Sequence, residues 1–432
     1  MTPAARISAA IDVLADLAAI RRPAAEALKD WGLKHRFAGS SDRAAIAGLV
    51  YDALRRRASA AFVMDADAPR AVMLGMLRLE RGFDVVAIAR LFDGSRFAPT
   101  PLTEAERARL ASPDLSDAPA AIAGDYPDWL DDHFARVFGE ARAQEGAALA
   151  SRAPLDLRVN RLKGTREDAI AALPDLPVAP TPWSPDGLRL VQTADARSPA
   201  IHAEPAFIKG LIEIQDEGSQ LAALLSGAKP GAQVVDLCAG AGGKTLALAA
   251  MMQNTGQIFA TDSDKRRLAP IHERLERAGA RNVQVRTPRR ESDVLSELEG
   301  RIDLVLIDAP CTGTGSWRRN PDAKWRLRPG ALELRVKDQR AVLDRAVALV
   351  APGGVIAYVT CSVLEEENGA QVRDCVARHP AFSVVPPQEV AGALGERAFM
   401  FARSALPTAE GLLMTPRRTG TDGFFVSLLR RT

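Results

Sequence analysis

The sequence predicts an α/β fold in which a doubly wound, mostly parallel sheet follows an all-α N-terminal domain and a small α/β connecting segment. Alanine, leucine and arginine dominate residues 1 to about 110, and a mixed α/β stretch begins at Leu155. From Gln233 onward, β-branched runs alternate with helical stretches. Such alternation is typical of a parallel sheet with helices on both faces. The predicted domains are 1–125, 126–225 and 226–432.

Helical periodicity identifies the N-terminal domain. Apolar residues recur at helical spacing in Ala45–Leu54 and Val72–Leu79, and Ser40-Ser41-Asp42 indicates a helix start. Ser112–Pro127 contains three prolines and is predicted to be a linker. The C-terminal part predicts five strands and a helix after the first of them. The strands are Gln233–Leu237, Gln257–Thr261, Val283–Val285, Asp303–Ile307 and Val355–Thr360, and the helix is Thr245–Met252.

Composition restricts the class of protein. The 432 residues are 47% hydrophobic and 25% charged, with a formal net charge of +2, so a nucleic-acid partner has to be argued from local patches. No stretch approaches the ~18 uninterrupted apolar residues of a membrane span. The four cysteines include no C-x-x-C pair and lie apart from the histidines, so we expect no metal site and no disulfide framework. We expect a cytoplasmic monomer without a membrane partner.

A glycine-rich loop joins the first predicted strand to its helix. It reads Cys238-Ala239-Gly240-Ala241-Gly242-Gly243-Lys244. Glycines allow a ligand to approach the backbone, and a helix N-terminus favours polar or anionic groups. Asp262, at the end of the second strand, can accept hydrogen bonds from ribose hydroxyls. Cys238 occupies the position where a triphosphate-binding loop needs glycine. The remaining interpretations are a nucleoside cofactor, which we favour, a dinucleotide, or a tight turn without a ligand.

Two cysteines follow two neighbouring strands. The fourth strand leads into Asp308-Ala309-Pro310-Cys311, and the fifth into Thr360-Cys361-Ser362. Ligands of open parallel sheets bind beyond the carboxyl ends of the strands, so both thiols and Asp308 should lie beside the glycine loop. The alternative for any single cysteine is a small buried apolar residue. We apply this alternative to Cys375 and largely to Cys238.

This set of groups suits methylation of carbon 5 of a cytosine. A thiolate that adds to carbon 6 converts the ring into an enamine, which can accept a methyl group. A carboxylic acid near ring N3 and the exocyclic amine favours the addition. A second thiol can assist release of the product. An ordinary thiol has a pKa of roughly 8.5, so the nucleophile needs a positive neighbour, for which Lys244 is a candidate.

These motifs resemble the Sun family of RNA cytosine-5 methyltransferases. The matching segments are Asp236–Thr245, Asp308–Cys311, Thr360–Ser362, Glu366-Glu367-Asn368, Arg318–Asp322 with Lys324-Trp325, Asp422–Phe425, Leu157–Asn160 and Gln215-Asp216. The resemblance implies a Rossmann-like class I methyltransferase fold. It also implies S-adenosylmethionine as cofactor, held by the loop Cys238–Lys244, by Asp262 and partly by Asp308. The family has a proline where this chain has Ala241. Many members also have an acid near the adenine, where this chain has Arg286–Arg289 without one.

The resemblance assigns roles to the two thiols. In that family the cysteine after threonine, here Cys361, is the nucleophile, and the cysteine after proline, here Cys311, helps to release the product. The order is reversed in DNA cytosine methyltransferases, so the resemblance implies RNA as substrate. The N-terminal residues are similar to the RNA-binding domain, related to the antitermination factor NusB, of bacterial 16S ribosomal RNA methyltransferases. The alternative is a helical domain without an RNA role.

A basic segment after Cys311 is a candidate RNA contact. Trp317–Arg328 contains five basic residues against one acid, and we expect its members to hold phosphates or stack on unpaired bases. The candidates are Arg318, Arg319, Lys324 and Trp325. The alternative is a solvated basic loop with two partly buried tryptophans. For the whole chain, the alternatives to a 16S ribosomal RNA enzyme are a transfer RNA methyltransferase and a non-catalytic ribosome-assembly protein.

Overall fold

The computed structural model of the chain describes residues 1–191, 199–289 and 293–432. The described residues form two compact units. One unit comprises residues 1–152 together with 317–329, and the other comprises residues 153–316 together with 330–432. The chain therefore leaves the second unit after Ser316 and returns to it at Gly330.

The first unit is helical, as predicted. Its helices are α1 (Pro3–Ala19), α2 (Ala24–Lys34), α3 (Ser40–Arg55), α4 (Arg57–Met64), α5 (Pro69–Leu79), α6 (Val85–Leu91), α7 (Glu104–Ala111), α8 (Ala120–Ala123), α9 (Asp131–Phe138), α10 (Arg142–Ala150) and α17 (Pro321–Arg326). Helix α1 shows why these residues fold in this way. Ile7, Ala10 and Leu14 recur at helical spacing and are buried in one apolar core, and the Thr2 hydroxyl caps the first turn.

The first unit extends to residue 152, beyond the limit at residue 125 that the sequence predicts for the first domain. Helices α9 and α10 pack within the first unit, where the ring of Phe134 stacks on Trp317 with centroids 6.0 Å apart. The predicted linker Ser112–Pro127 is also partly ordered, because it contains α8. Within the described residues, no helix is long and apolar enough to cross a membrane.

The second unit begins with a small antiparallel sheet. Its elements are β1 (Asp156–Val159), α11 (Arg166–Ala171), β2 (Val178–Pro180), β3 (Gly187–Leu190), α12 (Pro205–Ile208) and β4 (Ile212–Ile214), and α13 (Glu217–Leu225) follows. The strand order is β2-β3-β1-β4. This arrangement agrees with the predicted α/β character of residues 126–225, although 126–152 belong to the helical unit.

The remaining elements build the large sheet. They are β5 (Gln233–Asp236), α14 (Gly243–Met251), β6 (Gln257–Ala260), α15 (Lys265–Leu268), α16 (Ile271–Ala278), β7 (Val283–Val285), β8 (Ile302–Asp308), α18 (Pro329–Leu349), β9 (Val350–Thr360), α19 (Gly369–Arg378), β10 (Phe382–Val384), α20 (Pro387–Ala391), α21 (Ala398–Ser404), β11 (Leu406–Pro407), β12 (Leu412–Met414), α22 (Pro416–Thr419) and β13 (Phe424–Arg431). The strand order is β11-β12-β13-β9-β8-β5-β6-β7, and β10 pairs with β13.

The order of the strands confirms the predicted doubly wound sheet. Strand β5 pairs in parallel with both β6 and β8, and β8 pairs in parallel with β9. Continuous burial along Leu304–Ile307 and Ile356–Val359 reflects helices on both faces. Strand β13 lies antiparallel beside β9 and is not among the predicted strands, although Phe424 and Phe425 belong to a matching motif. Because β5, β8 and β9 are neighbours, their carboxyl ends meet at one edge.

Candidate active site

The glycine loop follows β5 and opens α14, as the sequence predicts. Gly240 and Gly242 have φ of 51° and 86°, a left-handed backbone that side chains other than glycine rarely adopt. A Cβ on Gly242 would also lie 2.6 Å from Cγ1 of Ile271. A Cβ on Gly240 would instead meet no atom closer than 3.7 Å. The loop is therefore tightly packed on one side and has space on the other.

Asp262 lies against this loop and is only 2% exposed. Its Oδ2 accepts a hydrogen bond of 2.9 Å from the backbone N–H of Gly240. Its Oδ1 accepts a second one, also 2.9 Å, from the N–H of Asp264. The carboxylate thus holds the loop in shape, and it keeps further acceptor capacity on both oxygens.

Lys244 and Asp308 form an ion pair across two strand ends. The Lys244 ammonium, in the first turn of α14, lies 2.6 Å from Oδ2 of Asp308 at the end of β8. Lys244 is buried, and its ammonium also lies 5.1 Å from the ring centroid of Phe424 on β13. The sequence predicts Lys244 as the positive neighbour of the nucleophilic thiol. In the structure its charge is paired with Asp308.

The buried carboxylate of Asp236 links the two ends of the glycine loop. Asp236, the last residue of β5, is completely buried and accepts a 2.7 Å hydrogen bond from the hydroxyl of Thr245. Burial raises the pKa of Asp236 to about 7. This side chain belongs to the framework of the site.

The two predicted thiols are in contact. Sγ of Cys311 lies 3.3 Å from Sγ of Cys361. The hydrogen bond with the Cys361 thiol, together with burial, raises the pKa of Cys311 well above its usual range. Cys311 therefore keeps its proton at neutral pH. Cys238 and Cys375 are not part of this thiol pair. Burial raises the pKa of both, and Cys375 is fully enclosed in the core.

Glu367 holds the Cys311 loop in place, a role that the sequence analysis did not identify. Its Oε1 accepts hydrogen bonds from the backbone N–H of Thr312, at 2.8 Å, and from Nε2 of Gln339, at 3.1 Å. The same Gln339 nitrogen donates to the carbonyl of Pro310, at 2.9 Å. Glu367 is completely buried, and burial raises its pKa. In the sequence, Glu367 belongs to a segment that matches the family, but an acidic run is usually solvated, so its buried position was not expected.

Hydroxyl and amide groups fix the neighbouring Cys361. The Thr360 hydroxyl donates to Oδ1 of Asn368 at 2.6 Å, and Nδ2 of Asn368 donates to the carbonyl of Ser362 at 2.9 Å. The N–H of Gly315 donates to the Cys361 carbonyl at 2.9 Å. A Cβ on Gly315 would lie 2.1 Å from the carbonyl oxygen of Gly423, so the backbones of these two glycines touch. This contact explains why glycine stands at position 423, immediately before β13.

The basic segment Trp317–Arg328 packs inside the helical unit, which corrects part of the predicted RNA surface. Lys324 is 0% exposed, and its ammonium donates to the carbonyls of Arg55, at 2.8 Å, and Asp125, at 2.6 Å. Arg318 is also buried, and its carbonyl accepts from the Arg55 guanidinium at 2.6 Å. An ammonium enclosed in this way cannot reach a phosphate.

The other two predicted RNA residues are more accessible. Arg319 is exposed, whereas Trp325 is half-buried. Nε1 of Trp325 donates to the carbonyl of Leu54 at 2.6 Å, so the indole is fixed within the first unit. Its ring remains in reach of solvent, unlike that of Trp317, which is only 1% exposed.

Replacing Lys324 by methionine should remove a pH-dependent component of stability. Burial lowers the pKa of Lys324 from 10.5 to about 7 in the folded protein. The folded state therefore binds this proton less well than the unfolded state, so the free energy of unfolding should rise between about pH 7 and pH 10.5. Lys324→Met should lack this rise, and the two carbonyls left unpaired should cost on the order of 1–3 kcal/mol.

Chemical denaturation across this pH range would measure the effect. Lys29→Met is the matched control, because Lys29 is an exposed lysine of the same unit. A Lys324→Met profile with the wild-type pH dependence would contradict the role given to this ammonium.

The described residues contain no group of three or more His, Cys, Asp or Glu side chains that could hold a metal ion. The strand ends present two thiols, one ion-paired carboxylate and a glycine loop. Together they form a polar edge beside β5, β8 and β9 in the second unit.

Known proteins resemble this chain over most of its length. A family model described as 16S rRNA methyltransferase RsmB/F matches residues 223–430, and a ferredoxin-like domain of the RsmF/B-like methyltransferases matches residues 126–197. The "Probable ribosomal RNA small subunit methyltransferase B" of Synechocystis sp. is 30% identical over 309 residues, which cover 71% of this chain and 67% of that protein.

A second relative and a solved structure extend the comparison. The ribosomal RNA small subunit methyltransferase B of Sodalis glossinidius is 33% identical over 303 residues, covering 69% of this chain and 64% of that protein. This chain thus spans about two thirds of the length of both relatives. The crystal structure of a methyltransferase homolog protein from Pyrococcus horikoshii is 27% identical with a TM-score of 0.58, over 74% of this chain and 100% of that one.

Proposed function

Because this chain belongs to the 16S rRNA methyltransferase RsmB/F family, we propose that it transfers a methyl group from S-adenosylmethionine to carbon 5 of a cytosine in 16S ribosomal RNA. The contact between the thiols of Cys311 and Cys361, beside Asp308, is the observation that carries the proposal. In this proposal the N-terminal unit is a NusB-like domain that supplies affinity for RNA. A cytoplasmic monomer is the form we expect.

The residues around the glycine loop fit S-adenosylmethionine. Gly240 leaves space for a ligand, and Asp262 offers acceptors for ribose hydroxyls. Oε1 of Gln215 is buried and has no hydrogen-bond partner among the described residues. Nε2 of the same side chain would lie 3.8 Å from a Cβ on Gly243, so Gln215 is adjacent to the loop. Such a polar group needs a partner, which a polar ligand can provide. When bound, S-adenosylmethionine supplies an electrophilic methyl group.

Cys361 acts as the nucleophile in this proposal. Its sulfur, as thiolate, adds to carbon 6 of the cytosine and raises the electron density at carbon 5. Asp308 is paired through Oδ2 with Lys244, so its Oδ1 can accept a hydrogen bond from the exocyclic amine. Lys244 thereby orients the carboxylate that holds the base.

Cys311 acts after carbon 5 has been methylated. The carbon 5 proton passes to solvent, and the electron pair of the C5–H bond re-forms the double bond between carbons 5 and 6. The bond between carbon 6 and Cys361 then breaks, and its electron pair goes to the sulfur. Cys311 keeps its proton because its pKa is raised, and its sulfur touches that of Cys361. It can therefore donate a proton to the departing sulfur. Glu367 keeps the Cys311 loop in position for this step.

Asp262→Ala should weaken binding of S-adenosylmethionine. The substitution removes the ribose acceptors and also the hydrogen bond that shapes the loop at Gly240. The expected loss is roughly 1.5–3 kcal/mol, the scale of a hydrogen bond to a charged group. Isothermal titration calorimetry would measure it, with Asp264→Ala, an exposed acid of the same segment, as control. Equal affinities for wild type and Asp262→Ala would count against this cofactor site.

Bisulfite sequencing tests the proposed function directly. Ribosomal RNA from cells that lack the gene should show one fewer protected cytosine than RNA from cells that carry it. Purified protein should restore that protection in vitro with S-adenosylmethionine. A change confined to transfer RNA would identify the alternative substrate, and an unchanged pattern in all RNA would exclude the enzyme.

A further inference from the structure

The first unit contains a cavity that the proposed chemistry does not use. Its volume is ≈ 130 Å³, and it opens between α1, the start of α5 and α17. Leu14, Leu17 and Val72 form an apolar wall, and the half-buried Trp325 lies beside them. The cavity therefore combines apolar surface with an aromatic ring that is not fully enclosed.

Four arginines line the same cavity, and two of them are engaged. Arg22 contacts Asp16 and Asp30, and Arg326 lies 3.1 Å from Asp322. The remaining two, Arg21 and Arg57, form no ion pair with a carboxylate in the part of the chain that the structure describes.

The Arg57 guanidinium lies at the cavity and forms no ion pair among the described residues, although Asp67 lines the same cavity. It lies over the Trp325 ring, 5.4 Å from the centroid. Burial lowers the pKa of Arg57. The Asp67 carboxylate opposes this shift, and the charge of Arg21 adds to it. A partly desolvated cation next to a second one favours an anion in the cavity.

We propose that this cavity binds one unpaired nucleotide of the RNA substrate, with its phosphate between Arg21 and Arg57 and its base against the apolar wall and Trp325. The inference rests on the proposed function, because it identifies where the helical unit holds the RNA. Arginine and an aromatic face together are the means by which proteins bind single strands. Base-paired RNA keeps its bases stacked and cannot insert one.

Two residues that line the cavity also lie close in sequence to the Cys311 loop. Trp325 and Arg326 belong to the segment Trp317–Pro329, which packs in the helical unit although it follows the Cys311 loop by only a few residues. A nucleotide in this cavity would thus contact the segment that continues directly from the catalytic loop.

The test measures binding of a fluorescein-labelled 12-nucleotide single-stranded RNA of mixed sequence, and of the same sequence as a duplex. Arg21→Gln and Arg57→Gln are compared with Arg90→Gln, which removes an exposed charge from α6 of the same unit. Either cavity variant should bind the single strand about tenfold more weakly than the control does. The slope of log affinity against log salt should fall by about 0.7 for each lost phosphate contact. Duplex binding should change by the same small factor in all three variants.

Two outcomes would overturn the proposal. Arg21→Gln and Arg57→Gln could match Arg90→Gln on the single strand, or they could weaken duplex binding as strongly as single-strand binding. Because Arg57 packs on Trp325, thermal melting accompanies each variant, and the exposed Arg21 keeps the test valid if Arg57→Gln is unstable. Methylation by the wild-type protein is measured in parallel. An active enzyme with unaffected cavity variants would refute only this cavity, whereas an inactive wild type would refute the proposed function.

Discussion

Cys361→Ala is expected to abolish methyl transfer and the covalent capture of RNA that carries 5-fluorocytosine. Fluorine at carbon 5 cannot leave as a cation, so an enzyme that has added to carbon 6 remains attached. The adduct requires the sulfur of Cys361, which lies at the end of β9 and is fixed through Thr360 and Asn368. Activity should fall at least about 10³-fold, the scale on which loss of a catalytic group acts.

A denaturing gel with labelled RNA measures the adduct. Cys375→Ala is the matched control, because it removes a thiol that is enclosed in the core and should leave the adduct unchanged. An adduct that persists in Cys361→Ala would show that another sulfur is the nucleophile.

Cys311→Ala should accumulate a covalent complex between the protein and ordinary cytosine RNA. Without Cys311, attack and methylation remain possible, because both depend on Cys361. The departing sulfur, however, loses the protonated thiol that lies 3.3 Å away. The reaction should therefore stall after methylation. A slow-migrating band on a denaturing gel, resistant to heat and detergent, would be the result.

The double variant establishes which sulfur holds the RNA. Cys311→Ala combined with Cys361→Ala should lose the band, because Cys361 makes the trapped bond. If Cys311→Ala is inactive and forms no complex while Cys361→Ala does, the roles are exchanged. The chain would then follow the order of the DNA enzymes, and the inference of an RNA substrate would lose its main support.

The sequence alone determined the fold class and brought the candidate site residues to one edge of the sheet. Strands and helices are read from apolar spacing over a few residues, and this pattern predicted β5 to β9 and the glycine loop correctly. The rule that ligands bind beyond the carboxyl ends of parallel strands then placed both thiols and Asp308 at one edge, and the parallel neighbours β5, β8 and β9 confirm that arrangement. Strand β13 was missed because its antiparallel position depends on a return of the chain that local periodicity does not encode.

Only the tertiary structure decided how individual polar side chains are used. Lys324 has the positive charge expected of a phosphate contact. Its ammonium is nevertheless enclosed by the carbonyls of Arg55 and Asp125, which are 269 and 199 positions away in the chain. Glu367 belongs to an acidic run, yet it holds the Cys311 loop from a buried position. Lys244 has the charge to assist a thiolate, yet it pairs with Asp308. Whether a charged side chain is solvated or buried depends on groups that are distant in sequence. Apolar periodicity is a local property, whereas the partners of a charge are set by the packing of the whole unit.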